Sequence, residues 1–97
     1  MLNAVKKACR VTAAAYDEEL LDLIEAAKAD LALAGVEEEK VRNDTDPLIR
    51  RAVTTFCRMN FGAPENYDKL KASYDEQKAQ LQGAGYYAKW GNDDGES

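Results

Sequence analysis

Arg51, Thr55 and Arg58 fall in one row at helical spacing, with Thr54 beside them, and this is the polar pattern in the chain best suited to recognition. Guanidinium groups two turns apart can pair carboxylates or phosphates bidentately, which a lysine row does less specifically. A second pattern has the opposite sign. Glu18, Asp22 and Glu25 recur at the same kind of spacing and form an acidic ridge, flanked by Leu21 and Leu33, which fall outside the core stripe of their helix. An acidic ridge and a basic row on different helices suit a head-to-tail contact between identical subunits, and such contacts generate rings when the rotation closes. Arg51, Arg58, Glu18, Asp22, Glu25, Leu21 and Leu33 are the candidate subunit interface.

Other chemistry finds little support. The chain has no histidine, which removes the commonest general base and transition-metal ligand at neutral pH. Cys9 and Cys57 alone cannot complete a four-ligand zinc site, and they read as buried thiols in a reducing compartment. No G-x-x-x-x-G-K-[ST] loop is present. Asp44-x-Asp46 begins like a calcium loop, but Pro47 follows and no glycine stands at the sixth position, so it reads as a helix-capping loop. None of the 18 carboxylates has an apolar setting that would raise its pKa. The expectation is no catalytic residue, no metal and no cofactor.

The elements that must carry the row and the ridge are helical. Asn3 is a candidate N-cap for a short helix to about Arg10, with Leu2, Val5 and Cys9 on one face. Asp17 caps a longer one, in which Leu20, Ile24, Ala27, Leu31 and Ala34 recur at helical spacing until Gly35, with Val36 closing the cap. Residues 37–46 read as a charged connection anchored by Val41. Asp46-Pro47 opens a third helix ending at Phe61-Gly62, whose wide apolar arc marks it as the central element. Asn66 caps a fourth, with Tyr67, Leu70, Tyr74 and Leu81 on a narrow seam. The predicted core holds Leu20, Ile24, Leu31, Ala52, Phe56 and Met59.

The fold class is therefore all-α, a small bundle of four helices packed around a central helix, with an extended C-terminal tail. Residues 1–82 form the helical domain, and residues 83–97 form a tail that is aromatic, then acidic and expected to be disordered. Tyr86, Tyr87 and Trp90 concentrate aromatic surface where no helical stripe needs it, so they are candidates for docking on a partner.

Ninety-seven residues allow one modest core, and 16 alanines favour helix. The net charge of −5 is uneven: residues 1–16 carry +3, residues 17–46 carry −8, and the remainder balances. That layout argues against a duplex-DNA binder held by phosphate contacts. Apolar runs of at most four residues exclude a transmembrane helix or secretory signal.

At Asp46-Pro47-Leu48-Ile49-Arg50-Arg51-Ala52-Val53-Thr54-Thr55-Phe56-Cys57-Arg58-Met59-Asn60-Phe61-Gly62 the chain resembles the small head-tail connector (head-completion or DNA-packaging) proteins of tailed phages and prophages. The likeness extends over roughly residues 2–87, through the Asp17–Ala34 helix, the Tyr67–Asp75 segment and Leu81-Gln82-Gly83-Ala84-Gly85-Tyr86. The resemblance implies a non-enzymatic subunit that forms a homo-oligomeric ring beneath the portal after DNA packaging. Its implied partners are its own copies, the portal and a downstream head-completion or tail protein. Packaged DNA would pass through the ring without sequence-specific binding, and no membrane is involved. The implied location is the virion, with the host cytoplasm during assembly. The rival reading is a small helical DNA-binding regulator, which the connection of about a dozen residues between Gly35 and Asp46 disfavours.

Overall fold

The computed structural model describes residues 1–83 and 85–87, and no strand occurs among them. Five helices follow in order: α1 (Leu2–Cys9), α2 (Asp17–Leu33), the single-turn α3 (Glu38–Val41), α4 (Pro47–Asn60) and α5 (Tyr67–Gly83), with a 3-10 turn at Ala14–Tyr16 before α2. Helix α4 packs against α1, α2 and α5, which makes it the hub of an all-α bundle. The tail residues from 88 onward, Trp90 among them, lie outside the described residues.

Local sequence explains most boundaries. Asp46 holds extended backbone, and its side chain accepts from the Leu48 and Ile49 amides at 2.9 and 3.3 Å while Pro47 occupies the first turn. That satisfies amides the helix leaves unpaired and uses the one position where proline costs no hydrogen bond. Gly35 and Gly62 take positive φ of 106° and 69° after α2 and α4, as a left-handed helix exit requires. Val36 then turns inward, wholly buried, and its amide bonds back to the Leu31 carbonyl.

Two expected caps are absent. Helix α1 begins at Leu2 with Met1 before it and no side-chain cap, so Asn3 lies inside the helix. Asp17 is the first residue of α2 rather than its cap, and it forms a 2.6 Å ion pair with Lys6 that ties α2 to α1. The 37–46 connection also contains a helical turn, α3, which inserts Val41 into the core.

The core is continuous. Leu20, Ile24 and Leu31 of α2 meet Ile49, Ala52, Val53, Cys57 and Met59 of α4, with Val5, Val36, Val41, Leu70, Tyr74 and Leu81 completing it. Phe56, expected inside, is only half-buried. It sits at the edge of the α4 arc and packs its ring edge-on to Tyr74 at 5.4 Å. Lys28 is a buried cation on the α2 core stripe, 7% exposed, and its ammonium reaches Asp44 at 2.8 Å. Pairing of this kind is what makes a buried charge tolerable.

Burial pushes the Cys57 thiol up from 9.0 to about 12, with Cys9 nearby adding to the rise. Burial also raises Cys9, opposed by the positive charge of Arg58. The Cys57 thiol should therefore resist alkylation at about pH 8 until the protein unfolds, because the thiolate is the reactive form. A folded-state value above the unfolded one means its stabilising contribution is complete below 9.0 and is lost as pH rises through about 12. Denaturant melts across this range should show falling stability, with a shallower fall in Cys57→Ala. Cys57 labelling as fast as that of a free thiol in the folded chain would contradict the burial.

Candidate subunit interface

The row on α4 forms one wall of a groove. Arg51, Thr55 and Arg58 are joined by Arg50 and Thr54, while Ala4 of α1 and Leu70, Ser73 and Gln77 of α5 complete a concavity of about 490 Å³. No carboxylate is among these lining residues. Arg50, Arg51 and Arg58 are exposed, and none of them forms an ion pair among the described residues. Thr55 is turned inward and donates its hydroxyl to the Arg51 carbonyl at 2.9 Å, so it belongs to the helix rather than to a ligand. Lys7 and Arg10 extend the positive surface along neighbouring α1 hollows, which also reach Arg50 and Arg58. Arg50 was not part of the row seen in sequence, since only packing of α1 and α5 beside α4 makes it line the same groove.

The acidic ridge lies elsewhere. Glu18, Asp22 and Glu25 are exposed on α2, and no residue of α2 lines the groove. Glu25 is 3.2 Å from Arg42, an exposed pair worth about 0–1 kcal/mol and easily exchanged. From Glu18 to Glu25 is seven residues, as from Arg51 to Arg58, so ridge and row each span about 10 Å along a helix axis. Leu21 and Leu33 beside the ridge are 48% and 87% exposed. The two patterns are equal in length, opposite in sign and separately placed: the arginines of the row form no ion pair among the described residues, and of the ridge only Glu25 does, with Arg42.

The aromatic segment divides. Tyr87 folds onto its own bundle: its phenol donates to the Asp46 carboxylate at 2.9 Å, and its carbonyl accepts from the Glu37 amide at 2.7 Å. Asp46 thus caps α4 and holds the chain end of the described fold at once. Burial, then the Asp46 hydrogen bond, raises the Tyr87 pKa above the ordinary value. Tyr86 is 62% exposed, edge-on to Tyr87, with the Lys40 ammonium 4.0 Å above its ring. Trp90, the third candidate, lies outside the described residues.

Among the described residues, no group of three or more His, Cys, Asp or Glu side chains is placed to hold a metal, and no helix is long and apolar enough to cross a membrane. Searches of curated proteins and of solved structures return no match. A protein-family model described as "Phage connector protein" matches residues 1–87, a span that takes in every helix and the Tyr87 clasp. By that match the chain belongs to the phage connector protein family, as the Asp46–Gly62 helix led us to expect, and its place is among the structural proteins of a virion.

Proposed function

We propose that the chain is a non-catalytic subunit of a phage or prophage head-tail connector. It forms a ring beneath the portal after DNA packaging and joins the capsid to the tail or to the next head-completion protein. The observation that carries this reading is the presence of two equally long faces of opposite charge on different helices of one subunit, neither pairing with the other among the described residues. In the ring, Arg51 and Arg58 of one copy meet Glu18, Asp22 and Glu25 of the next. Leu21 and Leu33 supply apolar contact at the same joint. Copies repeat the contact until the rotation closes, leaving a channel through which packaged DNA passes without base readout. The portal and the downstream head-completion or tail protein are the remaining partners.

The charge pattern sets orientation more than affinity, since exposed pairs contribute about 0–1 kcal/mol each. Arg58→Glu should weaken self-association by up to roughly tenfold per interface. Adding Asp22→Arg should restore part of the loss, and raising salt should flatten both effects. Sedimentation velocity on the four combinations reads this directly. A double variant no better than Arg58→Glu alone would remove this geometry.

A further inference from the structure

The face of α2 that carries the ridge changes character along its length. At about 100° per residue, Ala29 and Leu33 fall on the same side as Glu18, Asp22 and Glu25, away from the buried stripe of Leu20, Ile24, Ala27 and Leu31. Ala29 and Leu33 are exposed, so this outward face is acidic in its first half and apolar in its second. The basic groove changes in a corresponding way. A smaller pocket of about 200 Å³ adjoins it, with Leu48, Leu81 and Tyr87 as apolar walls, Gln80 at its edge, and Arg51 and Gln77 lining both. A cavity of about 150 Å³ takes a benzene ring, so this pocket has room for the isobutyl group of a leucine. Toward the other end of α4, Arg58 and the exposed Arg10 line a common hollow. Along α4 the order is therefore apolar pocket, Arg51, Arg58, Arg10.

The two orders match when the helices run in opposite directions. Leu48 to Arg58 spans about 15 Å of helix axis, and Leu33 back to Asp22 spans about 16.5 Å. We propose that α2 of an adjoining copy lies antiparallel to α4 in this groove: Leu33 enters the pocket between Leu48, Leu81 and Tyr87, Glu25 falls between Arg51 and Arg58, Asp22 meets Arg58, and Glu18 meets Arg10. This orientation rests on the ring reading and adds to it the direction of the neighbour's helix, the seat of Leu33 and a role for Arg10. A parallel placement conflicts at both ends, since it sets Glu18 against the apolar pocket, beside the Asp46 carboxylate that Tyr87 bonds, and Leu33 against Arg58 and Arg10. Antiparallel helices also place the negative end of one dipole beside the positive end of the other. The Gln77 side-chain oxygen is buried without a hydrogen-bond partner among the described residues. A guanidinium carries five N–H donors, so Arg51 turned toward the incoming Glu25 serves Gln77 as well.

The test uses the full chain carrying Cys9→Ala, which leaves the buried Cys57 as its one native thiol. Leu33, Gln80 and Ala63 are exposed, so cysteines at these positions spare the core. Under mild oxidation, Leu33→Cys with Gln80→Cys should give a ladder of covalent oligomers on a non-reducing gel. Leu33→Cys with Ala63→Cys, the pair a parallel helix brings together, should give none. Sedimentation supplies an independent reading: Glu18→Arg should weaken association by up to roughly fivefold, the effect of one exposed pair. Adding Arg10→Glu should return most of that loss, and adding Arg51→Glu should not. Cross-linking through position 63, or rescue of Glu18→Arg by Arg51→Glu, would overturn this orientation and leave the ring reading standing. Rings that form equally well with Leu33→Asp and lose only portal binding would give the pocket to the portal, which overturns the orientation too. An unsubstituted chain that never associates would overturn the ring reading and this orientation with it.

Discussion

Ile49→Ala should lower the unfolding free energy by about 2–5 kcal/mol, the range for truncating a buried aliphatic side chain where the surroundings collapse only in part. Ile49 has no exposed surface and sits on the face of α4 that joins the common core. Small domains are stable by only about 5–15 kcal/mol, so this one change removes a large fraction. Urea titration should show a lower midpoint with an unchanged slope. Phe56→Ala gives the internal comparison: half-buried at the edge of the arc, it should fall short of the about 3–5 kcal/mol of a fully enclosed Phe. An Ile49→Ala loss below about 1 kcal/mol would show that α4 is not the hub.

Leu33→Asp together with Leu21→Asp should leave the monomer's stability nearly unchanged and reduce assembly by ten- to a hundredfold. Both side chains are exposed in the single subunit, at 87% and 48%, so little intramolecular contact is lost. At a closed joint each would contribute up to about 1.5–3 kcal/mol of burial, and the substitution places carboxylates there instead. Denaturant melts and sedimentation on the same sample separate the two effects. Equal loss of stability and of assembly would mean that the leucines serve the monomer fold.

The helical frame was legible because its signals are local. Gly35, Gly62 and the Asp46-Pro47 cap mark boundaries through backbone chemistry that no distant packing overrides. The caps at Asn3 and Asp17 failed for the complementary reason: each has a side chain suited to capping, but Met1 already starts α1, and Lys6 draws Asp17 into an ion pair across two helices. Periodicity placed Phe56 on the apolar arc without saying how far α5 covers that edge. Lys28 carried a usable signal, standing four residues after Ile24 and three before Leu31, which puts a cation on the buried stripe. Its partner Asp44 follows only from how α3 and the following turn fold back. In the candidate interface, the α4 row and the α2 ridge were readable as helix faces. The groove, the contribution of Arg50 and the unsatisfied Gln77 depend on α1 and α5 flanking α4, a relation no spacing along one helix contains.

The most direct test of the connector account is sedimentation combined with electron microscopy of the full chain, alone and mixed with its portal protein, over a wide concentration range. The account predicts closed rings of a single subunit number that seat on the portal and that require higher concentration to form in Arg58→Glu. A chain that remains monomeric throughout, and that leaves the portal's sedimentation unchanged, would contradict it.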